Sequence, residues 1–344
     1  MHMADALLSP AVGATMWAGS VATLGYSSKK LKENIDNKTI PLMGVMGAFI
    51  FAAMMINFTI PGTGSSGHIA GGVLLTVMLG PYAAFLVLAS VLMVQALFFA
   101  DGGLLALGCN IWNMGFYPCF LGYPLIYKPI AGDGTSTKRI YIAAIVSVII
   151  ALQLGAFSVV LETLSSGRSE LPFGTFVLLM QPIHLAIGLV EGIITAGIIS
   201  YVKKARPEIL EASIASRPLD AGISLKNVLA AFLILAVVTG GALSWFASTH
   251  PDGLGWSIQK VTGKGELTGQ TSGIAPLLKE IQDKTAFLPD YNFKPAAEEE
   301  SKKNEAPAWP GIEAGTSVAG IVGGTIVLGF ILLIGFGINF LNKR

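Results

Sequence analysis

Long apolar runs recur along this chain and constrain its fold more than any other feature. Apolar side chains make up 53% of its residues and charged ones 12%, far from the averages of soluble domains. Runs of about 20 apolar residues are long enough to cross a hydrocarbon layer of about 30 Å as helices. They cover residues 42–60, 82–100, 104–127, 139–161, 177–202, 227–248 and 318–340. The sequence therefore predicts an all-α membrane protein.

Two further segments are less regular than these runs. Residues 8–27 are rich in Gly, Ser and Thr, and residues 66–80 are short and end at Gly80 before a proline. Irregular backbone at membrane depth is tolerated only where protein or a polar cavity surrounds it. We therefore expect both segments to be buried against other helices. Counting both gives about nine transmembrane helices.

The basic residues predict an orientation, because Lys and Arg accumulate in cytoplasmic loops. If every short basic loop is cytoplasmic, residues 66–80 must cross the membrane, with the N-terminus outside and the C-terminus inside. Long translocated loops escape this rule, so residues 249–317 are predicted to form an extracytoplasmic loop domain before the last helix. The basic residues of the short loops are Lys29, Lys30, Lys32, Lys38, Lys128, Lys138, Arg139, Lys203, Lys204, Arg206, Arg217, Lys226, Lys343 and Arg344.

The first two residues, Met1 and His2, offer three nitrogen donors: an amine, the amide of His2 and its imidazole. These donors can close adjacent chelate rings that lie near one plane, and the imidazole of His68 would complete a square. His68 lies in the loop GTGSSGHIAGG, whose glycines permit close approach of another chain segment. Four nitrogens in a plane favour Ni(II) or Cu(II) over Zn(II) and Mg(II). The alternative is a histidine that stands at position 2 by chance.

Four segments of the first 205 residues form a more specific pattern. They are MHMADALLSPAVG, GTGSSGHIAGG, QALFFADGGLLALGCNIWNMG and HLAIGLVEGIITA. Together they resemble the substrate-binding membrane subunit of energy-coupling-factor nickel and cobalt transporters. The resemblance implies that Met1, His2 and His68 hold the transported ion, Ni²⁺ or Co²⁺. It also implies a coupling protein in the membrane, cytoplasmic ATPase subunits as partners, and a multi-pass location in the inner membrane of a prokaryote.

The C-terminal third contains the motif PDGLGW between two spans and resembles the small accessory subunit of the same transporters. We therefore expect a metal-binding membrane core of seven helices at 1–205 and a cytoplasmic linker at 206–226. An accessory unit at 227–344 would place two spans around the loop 249–317. The chain departs from the family pattern at Ala4 and Ala6, where many relatives carry Pro and Gly, and in having PDGLG where PDGLE is usual.

Polar residues near the outer end of span 104–127 are candidates for orienting the histidine rings by hydrogen bonds. Asp101, Asn110 and Asn113 fit this role. The alternative for Asp101 is a helix cap followed by a glycine turn. Asp5 either caps the first helix or accepts a ring N–H.

Ionisable residues inside a predicted span are functional candidates by default. His184 and Glu191 are seven residues apart and so share one helix face, about 10 Å from each other along the axis. We expect them to belong to a buried network that holds helices together rather than to ligate metal, and we interpret Gln153 and Glu162 in the same way. His250 is interpreted as a solvated loop side chain rather than an entrance ligand.

Several functions find no support in the sequence. The chain contains no P-loop, HExxH or GxSxG motif, so energy for transport must come from partners. A net charge of +1 without a basic stripe argues against nucleic acid as a partner, and membrane lipid is the expected surrounding. Two alternatives stay open: a metal-gated receptor or channel without ATPase partners, and a vitamin-binding subunit, against which the MH start and His68 count.

Overall fold

The computed structural model describes residues 2–35, 38–168, 171–215, 224–264, 267, 273–294 and 309–342. This described part is mostly helical, and four of its helices are long and apolar enough to cross a membrane: Pro81–Phe99, Thr137–Ser166, Phe173–Ala205 and Ala314–Leu341. Thr39–Met54 and Lys226–Gly241 are shorter apolar helices. The helical membrane architecture agrees with the sequence, while the count of nine spans and the outside N-terminus stay predictions.

The secondary structure follows the apolar runs closely. In chain order the helices are α1 (Pro10–Asn34), α2 (Thr39–Met54), α3 (Gly72–Leu79), α4 (Pro81–Phe99), α5 (Leu107–Ile111), α6 (Lys128–Ala131), α7 (Thr137–Ser166), α8 (Phe173–Ala205), α9 (Pro207–Ile214), α10 (Lys226–Gly241), α11 (Gly253–Thr262), α12 (Ala275–Thr285) and α13 (Ala314–Asn342). The π-helical residues Trp112–Tyr127 join α5 to α6. The strands β1 (Phe58–Ile60) and β2 (Ser65–Gly67) form an antiparallel hairpin, which the all-α prediction did not include.

The helix α1 begins where the sequence provides a cap. Ser9 Oγ accepts a hydrogen bond from Val12 N at 3.3 Å, and Pro10 supplies the fixed φ that suits a first helical position. One face of α1 packs against the start of α5: Trp17 Nε1 donates to Leu104 O at 3.0 Å. Ser20 Oγ donates to Gly108 O at 2.7 Å. Its Ser- and Gly-rich composition thus serves close packing against another helix.

The irregular segment 66–80 contains only eight residues of helix, α3. Residues Gly72–Met78 are all buried, as expected of a segment surrounded by protein. His68 lines the same cavity as the N-terminal residues, whereas Gly80 lines a cleft with Lys30 from the far end of α1. The segment therefore runs between the two ends of the helix bundle, although α3 alone, at about 12 Å, is shorter than a bilayer.

The C-terminal helices α10 and α13 pack against α2, and α13 also against α4. Glycines allow the close approach that membrane helices use: a Cβ added to Gly47 would lie 2.3 Å from Ile331 Cδ1, and one added to Gly320 would lie 2.3 Å from Gly240 O. Between these two helices, the described residues 248–264 and 273–291 contact the end of the core that carries the N-terminus, for example where Ser248 N donates to Asn57 O and Leu288 N donates to Phe98 O. The C-terminal part is thus joined to the N-terminal part both along the helices and across one end.

Basic loops of the described part meet at the other end of the bundle. Lys128 Nζ donates to Ile214 O at 3.0 Å, and Lys203 Nζ donates to Thr135 O. These contacts join the α6–α7 loop to α9. The basic loops therefore lie at the end of the bundle opposite to His2 and His68, in agreement with the charge pattern. Which end faces the cytoplasm stays a prediction.

Candidate metal centre

Several chain segments meet around a cavity of about 590 Å³ at the N-terminal end of the bundle. His2 comes from the N-terminal segment before α1, His68 from the loop after β2 and Asp101 from the turn after α4, and all three line the cavity. The C-terminal unit supplies Asp252 and Tyr291. Residues that are distant in sequence therefore form one polar site.

The imidazoles of His2 and His68 lie next to each other in this cavity. Their ring centroids are 5.2 Å apart and their planes differ by 27°. Burial lowers the pKa of His2 below its usual value, although the nearby Asp101 carboxylate opposes this shift. Burial and the neighbouring His2 ring lower the pKa of His68 well below its usual value. Both rings are therefore neutral at pH 7, which is the form that binds metal ions.

The backbone of Met3 is held on both sides. Met3 N donates to Asn110 Oδ1 at 2.8 Å, and Asn110 Nδ2 donates to Met3 O at 3.3 Å. Gly103 N also donates to Met3 O at 2.9 Å. Asn113 Nδ2 lies 3.9 Å from Met3 Sδ and donates to Glu162 Oε2 at 2.8 Å. Asn110 thus holds the backbone of the N-terminal segment, and Asn113 contacts the side chain of Met3.

Asp5 accepts a main-chain hydrogen bond instead of capping α1. Ser9 caps α1, so the expectation that Asp5 caps the first helix is wrong. Asp5 Oδ1 instead accepts from Ala106 N at 2.9 Å. The carboxylate therefore connects the N-terminal segment to the turn that precedes α5. Backbone N–H groups at the start of a helix need acceptors.

Both ring nitrogens of His2 face polar side chains. His2 Nδ1 lies 3.4 Å from Asp101 Oδ1, and His2 Nε2 lies 3.3 Å from Gln95 Oε1. The hydroxyl group of Tyr291 contacts both partners, since it donates to Asp101 Oδ2 at 2.5 Å and accepts from Gln95 Nε2 at 3.0 Å. Asp101 was predicted at the site. Gln95 and Tyr291 were not, although a lone Gln in the apolar run 82–100 was a usable signal.

The hairpin that precedes His68 is hydrogen-bonded to the PDGLG segment. Ser66 N donates to Pro251 O at 2.8 Å and Ser66 Oγ donates to His250 O at 2.8 Å. Trp256 Nε1 donates to Thr63 O at 3.0 Å. Asp252 caps α11 by accepting from Gly255 N at 2.8 Å. The PDGLG segment therefore supports the loop that carries His68.

Close packing against α8 requires a glycine at the first of the two glycine positions of PDGLG. Gly253 lies against α8, and a Cβ there would lie 2.8 Å from Ile183 Cγ2 and 3.0 Å from His184 Cε1. His184 Nδ1 donates to Met180 O of its own helix at 2.7 Å. His184 thus forms part of the surface on which α11 docks.

Glu191 holds the other side of the His68 loop. Its two carboxylate oxygens accept from Ala70 N and Gly71 N, each at 2.9 Å, and the carboxylate is 2% exposed. Gly71 has φ +73°, and a Cβ there would also lie 2.3 Å from Ile50 Cδ1. Glu191 therefore makes buried contacts that join α8 to the loop after β2, and these contacts do not include His184. Gln153 belongs to a separate contact, in which its Nε2 donates to Gln181 O at 2.8 Å.

The described side chains do not form a complete metal site by themselves. Among the described residues, no three His, Cys, Asp or Glu side chains are grouped closely enough to hold an ion. Two imidazoles would need main-chain nitrogens to complete a ligand set. Met1, the predicted source of one of them, lies outside the described residues.

Comparison with known protein families gives two matches that divide the chain. Residues 2–209 match the family model of the cobalt uptake substrate-specific transmembrane region, CbiM. Residues 226–340 match the PDGLE domain. The first match alone covers more than half of the chain.

Individual relatives agree with this division. A putative fused nickel transport protein, NikMN, from Archaeoglobus fulgidus is 34% identical, over 95% of this chain and 96% of its own. The fused nickel transport protein NikMN from Rhodobacter capsulatus is 28% identical, over 85% of this chain and 88% of its own. The cobalt transport protein CbiM from Sorangium cellulosum is 28% identical, over 61% of this chain and 95% of its own.

Solved structures match the N-terminal part. The crystal structure of a truncated transition metal transporter covers 60% of this chain and 99% of its own, with 31% identity and a TM-score of 0.53. A second transition metal transporter covers 61% of this chain with 33% identity and the same TM-score. On these matches, the chain belongs to the CbiM family of metal transport proteins and carries a PDGLE domain fused to its C-terminal side.

Proposed function

We propose that this chain is the substrate-binding component of an energy-coupling-factor importer for Ni²⁺, with Co²⁺ as the second choice. The amine of Met1, the amide and imidazole of His2, and the imidazole of His68 would hold the ion. The observation that carries this proposal is the pair of adjacent imidazoles of His2 and His68 in one cavity. The two residues come from separate segments of the chain.

The chemistry of the donors supports a planar site. An amine, a deprotonated amide and two imidazoles are all nitrogen ligands, and a planar set of four suits low-spin Ni(II). Zn(II) prefers a tetrahedron and Mg(II) prefers oxygen. The carboxylate of Asp101, next to His2 Nδ1, adds a negative charge where the cation would arrive.

The relatives support nickel as the preferred ion. The NikMN relatives from Archaeoglobus fulgidus and Rhodobacter capsulatus each match most of this chain and are named as nickel transport proteins. The CbiM relative from Sorangium cellulosum is named for cobalt and matches 61% of this chain. The fused arrangement therefore favours nickel. No feature of the described site favours a receptor or channel instead.

The partners and the domain division belong to the same proposal. Residues 1–205 would form the binding core and 227–344 the accessory unit, joined by the cytoplasmic linker 206–226. A transmembrane coupling protein and cytoplasmic ATPases would drive transport in the inner membrane of a prokaryote. The ion would be captured from the outer side, with the N-terminus and residues 249–317 on that side.

Metal loading of the purified chain tests the proposed function. We expect one equivalent of Ni²⁺ with the absorption spectrum of a planar low-spin complex, and no displacement by excess Zn²⁺ or Mg²⁺. A second sample carries Lys-Pro inserted between Met1 and His2. The bulky Lys keeps the initiator Met in place, and the proline separates the amine from the His2 amide and offers no ionisable N–H of its own. This sample should lose the planar spectrum. Full displacement by Zn²⁺, or an unchanged spectrum after the insertion, would contradict the ligand set.

Replacing Asn110 by leucine should weaken Ni²⁺ binding about 10-fold, the range that loss of a supporting hydrogen-bond partner causes in metal sites. Asn110 binds both the N–H and the C=O of Met3. Without these hydrogen bonds, the N-terminal segment that carries His2 would lose its position. Competition titration with a chelator measures the affinity. Asn227→Leu at the exposed start of α10 is the matched control and should bind as the unmodified chain does.

A further inference from the structure

Tyr291 belongs to the C-terminal unit, yet its hydroxyl group lies among the side chains that surround His2. It contacts Asp101 Oδ2 and Gln95 Nε2. The other terminal atoms of these two groups, Asp101 Oδ1 and Gln95 Oε1, face the two ring nitrogens of His2. A single phenol thus links both neighbours of the imidazole.

The donor and acceptor in each of these hydrogen bonds can be assigned by starting from the Asp101 carboxylate. A carboxylate only accepts, so the Tyr291 hydroxyl donates its hydrogen to Asp101. The phenol oxygen is then the acceptor for the NH₂ group of Gln95, and this orients the amide. Gln95 Oε1 therefore faces His2 and accepts from Nε2–H. Asp101 Oδ1 lies 3.4 Å from Nδ1 without the alignment of a hydrogen bond, whereas Nε2 and Gln95 Oε1 form one at 3.3 Å. The neutral ring therefore carries its hydrogen on Nε2, and Nδ1 keeps an unprotonated lone pair.

This tautomer is the one that the proposed chelate requires. An ion bound to the amide nitrogen of His2 can also reach Nδ1 of the same residue, because these atoms close a six-membered ring. Nε2 lies on the far side of the imidazole and cannot close it. The hydrogen-bond chain thus leaves the lone pair on Nδ1, the nitrogen that can close this ring.

Tyr291 is held firmly enough to impose this orientation. Its ring stacks on Phe99 with centroids 5.1 Å apart and planes at 18°. Its φ is +59°, a backbone conformation that is uncommon for residues other than glycine. Gln282, near the end of α12, donates to Ala96 O at 2.9 Å and Gly102 O at 2.7 Å. These contacts fasten the Tyr291 segment to the end of α4.

We propose that Tyr291 is a positioning residue that fixes the Nε2–H tautomer of His2 through Gln95. A side chain of the accessory unit thus prepares a ligand of the metal-binding core. The ligand role of His2 rests on the proposed function, whereas the tautomer can be measured without any metal.

Nitrogen NMR of the metal-free chain, labelled with ¹⁵N-histidine, tests the tautomer. The His2 signals are assigned by their loss in His2→Ala. The unmodified chain should give the Nε2–H form alone, and Tyr291→Phe should give a mixture of both tautomers. Tyr82→Phe at the opposite end of the bundle is the control and should leave the signals unchanged. A single Nε2–H form in Tyr291→Phe, or Nδ1–H in the unmodified chain, would overturn the proposal.

Ni²⁺ affinity provides the second readout. Tyr291→Phe should bind about 10-fold more weakly while its melting temperature in detergent stays close to that of the Tyr82→Phe control. If Tyr291→Phe does not fold, Gln95→Leu breaks the same chain of hydrogen bonds and should give the same mixture of tautomers. If binding proves independent of His2, the proposed function fails, and the NMR result still decides the role of Tyr291.

Discussion

His68→Ala is expected to lower the Ni²⁺ affinity of the purified chain by more than about 100-fold. The substitution removes one of four proposed donors, and loss of a mere supporting partner already costs about 10–100-fold. The ring lies beside His2 in the cavity, so its loss leaves His2 as the one histidine among the described residues of the cavity lining. Equilibrium dialysis with metal analysis measures the loss.

A matched variant separates this effect from the general effect of removing a histidine. His250 lies in the same region and is exposed, and only its main-chain carbonyl contacts the hairpin. His250→Ala should therefore load Ni²⁺ normally. Equal loading by both variants would exclude His68 as a ligand.

Glu191→Leu is expected to destabilise the chain by about 2–6 kcal/mol. Two buried N–H groups, of Ala70 and Gly71, would lose their acceptor, and each unsatisfied group costs about 1–3 kcal/mol. Glu191→Gln keeps one carbonyl oxygen and should show an intermediate loss. Thermal unfolding in detergent measures the order of the three proteins, and Ni²⁺ affinity should fall in the same order because the His68 loop loses its support.

The control for this series lies one helical turn further along α8. Thr195 is buried, and its hydroxyl group has no hydrogen-bond partner in the described part of the chain. Thr195→Val has nearly the same shape and should leave stability almost unchanged. If Glu191→Leu melts at the same temperature as Thr195→Val, the carboxylate does not support the loop as described.

The sequence predicted the helices well where apolar runs were long, because α4, α7, α8 and α13 need only length and hydrophobicity to be recognised. It did not predict the hairpin β1–β2. Strands of three residues carry almost no periodic signal, and their position depends on Pro251, which is far away in sequence. The short helix α3 likewise has no clear periodic pattern, and the sequence predicted only that its segment is buried.

The site was predictable only in part, for a similar reason. His2 and His68 stood out as rare residues in distinctive surroundings, and Asn110 and Glu191 as polar groups near or inside apolar runs. The partners of Asp5 and the role of Tyr291 depend on tertiary contacts that no local pattern encodes. Tyr291 follows an irregular loop and reaches Gln95 across 196 positions of sequence.

The size of the cavity bears on how an ion enters. Its 590 Å³ is far larger than the roughly 10–15 Å³ of such space that one water needs, and a bare cation would leave most of it empty. If the proposed site is correct, a hydrated ion fits in this cavity and can exchange its waters for nitrogen ligands one at a time instead of losing them in a single costly step.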